Sequence, residues 1–179
     1  MPLFLLVPPA LSAPQSKPKA KPAPAPAKAA PKPKWDGDWS LDASSSDNLK
    51  DRIAAFTQSM NILQRTLWKK RLTNACLSYD TLSVLGGVGY SFTFGKEVPI
   101  NVDEGGSGSP WTRRDDEEKF QVSLKQTAPN ALSLALTADG YTLNDGFEID
   151  GDTLTVTVTY TSPKLDQPFD FKQVYKRND

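Results

Sequence analysis

The chain has 179 residues, with 21 basic and 21 acidic side chains, which is long enough for one domain with a sizeable core. It contains no histidine, so histidine-based metal sites and histidine acid–base catalysis are excluded. Cys76 is the only cysteine, so an intramolecular disulfide is impossible and a buried, small apolar role is expected for this side chain.

The first 34 residues differ in composition from the rest. They carry six lysines and no acid, which leaves 15 basic against 21 acidic residues in the remainder. Residues 3–13 are apolar and end in small residues, as a secretory signal does; an accidental apolar stretch is the alternative. Residues 14–34 are almost entirely Pro, Ala and Lys, which predicts a disordered spacer that attracts anionic envelope surfaces weakly or acts as a solubilising leader. We expect a periplasmic or secreted protein whose folded body spans residues 35–179.

The body begins with a predicted short strand and one predicted helix. Gly37 allows close backbone approach in Gly37-Asp38-Trp39, and Asp47 follows three serines that offer N-cap oxygens. Apolar residues then recur at helical spacing, which predicts one amphipathic helix over residues 48–70. We expect it to cover a sheet, with a short self-associating coiled coil as the alternative. The apolar stripe consists of Leu49, Ile53, Phe56, Met60, Leu63 and Leu67.

After Thr73 the apolar period changes from 3.6 residues to the two residues of a strand. Turn pairs such as Asp139-Gly140 and Asp150-Gly151 separate short alternating segments. So many antiparallel strands must close or split to hide their edges, and we predict a mainly β, up-and-down barrel with the helix as a lid. The nine predicted strands cover residues 77–85, 88–94, 98–102, 111–113, 119–126, 131–137, 142–149, 153–160 and 169–176.

The order of strand, helix and meander resembles that of the calycins, most nearly the fatty-acid-binding branch. Trp39 resembles the tryptophan of the lipocalin Gly-x-Trp motif, and Arg177 resembles the basic residue that packs over it. Other short motifs resemble secreted bacterial lipocalin-like proteins of unassigned function. The resemblance covers residues 35–177 and implies a barrel able to hold a ligand. These motifs are Met60-Asn61 with Arg65, Arg71-Leu72, Thr161-Ser162-Pro163 and Val174-Tyr175-Lys176-Arg177.

One departure from the fatty-acid binders concerns the ligand. The resemblance implies an Arg-x-Tyr pair on the last strand that holds the ligand carboxylate, but here Gln173-Val174-Tyr175 occupies that place. A glutamine cannot make the bidentate ionic contact of a guanidinium. We therefore expect a neutral or weakly polar ligand rather than a free fatty acid. The alternative is that Gln173 points outward and Tyr175 belongs to the core.

Two functions of different classes fit these observations. The first is an exported protein that holds a small hydrophobic or weakly polar molecule in the barrel, with the helix gating entry. The second is a non-enzymatic envelope interaction or scaffold protein whose barrel is filled by side chains. Which strand face points inward is open by one residue. The candidate wall residues are Tyr90, Phe92, Phe94, Leu134, Leu136, Val156, Val158, Gln173 and Tyr175.

Charged clusters are expected to be structural. Residues 113–118 are interpreted as a solvated loop, beside which Trp111 anchors the barrel rim or offers a stacking surface. The acidic body argues against nucleic-acid binding. We expect a monomer without cofactor or metal and without enzymatic activity, an enzyme using carboxylates alone being the alternative. Four acidic residues lack the spacing of a calcium loop and are interpreted as hairpin residues: Asp145, Glu148, Asp150 and Asp152.

Overall fold

The computed structural model describes residues 35–178, apart from Val88 and Ser107. The expectations for residues 1–34, the signal-like stretch and the spacer, lie outside the described residues, as does the predicted strand start at Val88. Within the described residues, no helix combines the length and the apolar character needed to cross a membrane.

Ten antiparallel strands and two helices make up the described body, which confirms the predicted mainly β class. All nine strands predicted after the helix are present, with shifted ends. The bounds are β1 Gly37–Leu41, α1 Leu49–Thr57, α2 Ile62–Ala75, β2 Thr81–Gly86, β3 Tyr90–Phe94, β4 Ile100–Val102, β5 Ser109–Thr112, β6 Lys119–Ala128, β7 Ala131–Ala138, β8 Tyr141–Asp150, β9 Thr153–Thr161 and β10 Phe169–Arg177.

The strands form one sheet in the order β4-β3-β2-β1-β10-β9-β8-β7-β6-β5, so β1 pairs with both β2 and β10. The sheet curls until its two edges, β4 and β5, approach each other. Loop contacts bridge this gap: Trp111 Nε1 donates to the Val98 carbonyl at 2.8 Å, and the Gly105 amide donates to the Leu124 carbonyl at 3.0 Å. The result is a nearly closed barrel, in which Trp111 anchors the gap.

Strand β9 shows why the wall has one apolar face. Leu154, Val156, Val158 and Tyr160 are buried, while the threonines between them lie at or near the surface. This confirms the alternation predicted for the strand, since successive side chains point to opposite faces. The interior is rich in aromatic rings; the Phe92 and Phe147 centroids, for example, lie 5.0 Å apart.

The first and last strands are joined by Trp39 and Arg177, which are paired in register. The guanidinium carbon of Arg177 lies 4.1 Å from the centroid of the Trp39 ring, and Nη1 donates to the Asp36 carbonyl. A Cβ at Gly37 would collide with that same Nη1. The Gly-x-Trp glycine therefore leaves the space that the arginine occupies.

The prediction of one helix over residues 48–70 is wrong, because α1 and α2 are separate helices. Asn61 caps α2, its Oδ1 accepting from the Gln64 amide at 2.9 Å. Arg65 Nη2 donates to the Gln58 and Met60 carbonyls and thereby satisfies the end of α1. The Asn61 cap at the start of α2 and the Arg65 hydrogen bonds to carbonyls at the end of α1 together stabilise the break between the helices.

The break rotates the second half of the predicted stripe out of the core. Leu63 is 83% exposed and Leu67 is also exposed, whereas Trp68 and Leu72 are buried instead. The two helices nevertheless pack over one barrel end. Phe56 of α1 lies edge-on to Phe169 with centroids 5.2 Å apart, and Trp68 of α2 is similarly placed 6.4 Å from Tyr160.

Replacing Arg177 tests the closure of the barrel. Arg177→Ala removes the cation over Trp39 and the donor to Asp36, and we expect it to lower the free energy of unfolding by about 1 to 3 kcal/mol. Lys172→Ala, at an exposed position on the same strand, is the matched control. Urea unfolding followed by tryptophan fluorescence measures both. Equal losses in the two variants would contradict the role given to Arg177.

Candidate functional site

A small cavity lies inside the barrel beneath the helices. Its volume is about 40 Å³, room for roughly three waters, since one water needs about 10 to 15 Å³ on this scale. Ligand pockets are far larger, typically about 300 to 1,000 Å³. Most of the lining is apolar, but the Asp145 and Gln173 side chains also face this space.

The predicted wall residues all lie on the inward face of the sheet, and eight of the nine are buried. Tyr90 is half-buried and contacts Trp35 edge-on. Three others, Phe92, Leu134 and Tyr175, are buried away from the cavity lining. Five line the cavity: Phe94, Leu136, Val156, Val158 and Gln173.

The two polar residues of β10 have different surroundings. Gln173 is 4% exposed and points inward; its Nε2 donates to Ser78 Oγ at 2.8 Å, and its Oε1 accepts no hydrogen bond from a described residue. The Tyr175 hydroxyl donates to the Tyr79 carbonyl at 3.0 Å. Gln173 therefore remains available to the cavity, whereas Tyr175 is a core residue held by the backbone.

Asp145 is the most unusual side chain in the interior. It lies between Leu143 and Phe147 on the inward face of β8 and is 7% exposed. No donor among the described residues lies within hydrogen-bonding distance of its carboxyl oxygens. Burial raises the pKa of Asp145 to about 7, because an apolar wall disfavours the ionised form. The interior thus contains a carboxyl group with unused hydrogen-bonding capacity.

The other titratable groups near Asp145 hold a single charge state around neutral pH. Burial, aided by the charge of Asp145, raises the pKa of the Cys76 thiol to about 12. Burial likewise raises the pKa values of Tyr79 and Tyr175. Cys76 is buried, as predicted, and a thiol with so high a pKa is a poor nucleophile.

Arg113 forms a partition above the cavity. It is 3% exposed; its Nη1 donates to the Ala75 carbonyl at 2.9 Å and its Nη2 to the Asn74 carbonyl at 3.1 Å. Its Nε donates to Asp116 Oδ1 at 2.9 Å, and this hydrogen bond holds the pKa of Asp116 below its usual range. The guanidinium also lies over the Phe120 ring. Arg113 thus clamps the loop after β5 to the end of α2.

Outside this partition lies a polar cleft of about 290 Å³. It is bounded by the end of α2, the loop after β5, the β7–β8 turn and the loop after β9. Tyr141 and Tyr160 stack in it with centroids 5.1 Å apart. Two residues, Ala75 and Arg113, line both the cleft and the inner cavity. The cleft is therefore the mouth of the barrel.

Two expectations about charged residues are wrong. Residues 113–118 are not uniformly solvated, because Arg113 is buried against helix carbonyls and Asp116. Asp145 is not a hairpin residue, because it lies in the middle of β8. The alternation of Leu143, Phe147 and Ile149 was the signal that could have placed Asp145 inside. Over the described residues, no group of acidic and cysteine side chains is arranged to hold a metal.

Neither a protein-family model nor a curated protein sequence matches the chain. Solved structures do match. A Schistosoma mansoni fatty-acid-binding protein in complex with arachidonic acid is 16% identical with a TM-score of 0.52, over 81% of this chain and 96% of that one. Human cRBP IV is 15% identical with a TM-score of 0.52, over 82% and 99%. Echinococcus granulosus fatty-acid-binding protein 1 is 13% identical with a TM-score of 0.53, over 80% and 96%.

These similarities establish the fold and nothing finer. The predicted resemblance to the fatty-acid-binding branch of the calycins is confirmed at that level, including the helical insertion after the first strand.

The raised pKa of Asp145 predicts a specific pH dependence of stability. Between its unfolded value of 3.8 and about 7, the folded chain holds a proton that the unfolded chain releases, so stability falls as pH rises through this window. Relative to Asp145→Asn, the unaltered protein should lose about 1.4 kcal/mol of unfolding free energy per pH unit there. Denaturant unfolding at pH 5 and pH 8 measures the difference.

The matched control is Asp150→Asn, the same chemical change at an exposed position of β8. A pH-independent difference between the unaltered protein and Asp145→Asn, or the same divergence in the control, would show that Asp145 is not the buried titrating group.

Proposed function

We propose that the protein binds a small hydrophobic or weakly polar molecule in the lumen of its barrel. The observation that carries this proposal is the pair of polar side chains, Asp145 and Gln173, which face a largely apolar cavity with hydrogen-bonding capacity unused. A core selected only for packing gains nothing from an unpaired buried carboxyl, because an apolar side chain of similar volume is more stable there.

The ligand enters through the mouth cleft. The inner cavity of about 40 Å³ is too small for it, and the cleft of about 290 Å³ lies directly beyond Arg113 and Ala75. Movement of the Arg113 side chain away from the α2 carbonyls joins the two spaces. Apart from the Phe120 ring, the contacts that hold the Arg113 guanidinium are hydrogen bonds and an ion pair, which exchange with water more readily than packed apolar side chains do.

Similar barrels support the proposal by analogy. The Schistosoma mansoni structure holds arachidonic acid, so a barrel of this fold can accommodate a long apolar molecule. The present chain has Gln173 on its last strand, which offers no cation to a carboxylate. A neutral or weakly polar ligand therefore fits this lumen better than a fatty acid.

The proposed role is binding without catalysis. The high pKa of Cys76 argues against a thiol nucleophile, and Asp145 has no second acid or base hydrogen-bonded to it among the described residues.

A second candidate is a non-enzymatic envelope interaction or scaffold protein with a filled barrel, which the small cavity volume favours. In this alternative the spacer of residues 14–34 makes weak contacts with anionic surfaces, and the body acts as a monomer.

Both candidates place the protein outside the cytoplasm, in the manner of the secreted bacterial lipocalin-like proteins that its motifs resemble. Residues 3–13 support this proposal through their apolar run and small-residue end. N-terminal sequencing of the mature protein from its host is expected to begin after Ser12 or Ala13. An intact N-terminus on cytoplasmic protein would contradict export.

Filling the lumen tests the first candidate. Val156 lines the cavity and Thr157 is its outward-facing neighbour. We expect Val156→Phe to reduce binding of the neutral dye Nile red about tenfold or more, since the added ring occupies the space the dye needs. Thr157→Phe adds the same ring outside and is the matched control. Fluorescence titration gives both dissociation constants.

Two further results bear on the choice between the candidates. Arg113→Ala, compared with Arg114→Ala, should speed dye uptake because the partition is gone. Equal dye binding by Val156→Phe and Thr157→Phe, together with an empty barrel by mass spectrometry after incubation with a lipid extract, would contradict luminal binding and favour the filled barrel.

A further inference from the structure

The unpartnered carboxyl group of Asp145 narrows the chemistry of the ligand. Of the two charged side chains that line the cavity, Asp145 and Arg113, it is the one with no hydrogen bond to a described residue. Gln173 already donates to Ser78, and Arg113 donates to helix carbonyls and Asp116. What the cavity lacks is a hydrogen-bond donor directed at Asp145.

Two acceptors in the cavity lining are unused, and none of the neutral donors beside them, such as the Tyr79 hydroxyl, can neutralise the Asp145 charge. An ionised carboxylate accepts hydrogen bonds only, and the free Oε1 of Gln173 is also an acceptor. A carboxylate ligand would bring a third acceptor and a second negative charge into this apolar space. A ligand with a donor would complete the hydrogen bonding, and a positively charged donor would in addition neutralise the buried charge.

We propose that the luminal ligand is a hydrophobic amine, whose ammonium group donates to the Asp145 carboxylate while its apolar body lies along the barrel wall. This inference rests on the proposed luminal binding and replaces the neutral or weakly polar ligand proposed there with one that carries a positive charge at one end. The apolar wall beside Asp145 is formed by its register partners Leu134 and Val158, with Leu143 and Phe147 on its own strand.

The negative charge of Asp145, which attracts the amine, is lost as the pH falls. Asp145 titrates near pH 7, so acidification to pH 5 protonates it and removes the attraction. The groups around it keep their states over this range. The pKa of Cys76 is raised to about 12, those of Tyr79 and Tyr175 are also raised, and Arg113 remains a cation paired with Asp116. An alkylamine stays protonated throughout.

The test compares three ligands of equal chain length: dodecylamine, dodecanol and dodecanoate. Each displaces Nile red from the full chain at pH 8 and at pH 5. We expect dodecylamine to bind at least about tenfold more tightly than dodecanoate at pH 8, and to lose at pH 5 most of its advantage over dodecanol, whose charge does not change with pH. The pH comparison uses the unaltered protein, so it stands whatever the variants do.

Variants assign the preference to one residue. Asp145→Asn should reduce dodecylamine affinity about tenfold at pH 8 and change dodecanol affinity little, since the amide keeps the volume and loses the charge. Asp150→Asn, exposed on the same strand, controls for nonspecific attraction of the amine to the acidic body.

The possible results distinguish a failure of the amine assignment from a failure of luminal binding. If dodecanol and dodecanoate bind while dodecylamine shows no preference, or if its preference survives Asp145→Asn, the amine assignment is overturned and luminal binding stands. If none of the three displaces the dye and the dye itself does not bind in the lumen, both are overturned.

Discussion

The chemistry of the barrel interior depends on one carboxyl group, that of Asp145, buried in an apolar wall. Asp145 faces inward from the middle of β8, where the alternation of the strand leaves only 7% of it exposed. The ionised form is disfavoured there because nothing in the described part of the chain neutralises it or donates to it. The small cavity therefore lies beside a carboxyl group that has no hydrogen-bond partner among the described residues.

Arg113 relates this interior to the surface. A cation of the same barrel lies close to the cavity, yet its donors are spent on Asp116 and on the carbonyls at the end of α2. The two charged side chains therefore remain separate: one holds the mouth closed, and the other faces the closed space. Arg113 and Ala75 separate the 40 Å³ cavity from the 290 Å³ cleft, and most contacts of the Arg113 guanidinium are polar. Opening thus requires a side-chain movement rather than a change in the sheet.

The sheet could be predicted from the sequence because its signals are local. Two-residue alternation and Asp-Gly turns mark each strand, and Leu154 to Tyr160 on β9 follow the expected pattern. The helical region was predicted less well. The stripe from Leu49 to Leu67 continues through Asn61 at unbroken spacing, so periodicity hides a break that depends on a cap and on the reach of Arg65 to the Gln58 carbonyl.

The candidate site shows the same division. Phe94, Leu136, Val156 and Val158 are apolar residues on alternating strands, and their inward positions follow from pattern. Asp145 and Arg113 do not, because an acid beside a glycine is typical of a turn, and an arginine in a charge block is typical of a solvated loop. Their burial depends on which elements meet in three dimensions.

The central claim, that a donor ligand meets Asp145 inside the barrel, is tested most directly by following the side-chain carboxyl carbon of Asp145 with ¹³C NMR across a pH titration. In the free protein the midpoint should lie near 7, and saturation with dodecylamine should move it downward, because a bound cation favours the carboxylate. An unchanged midpoint in the saturated protein would contradict the claim.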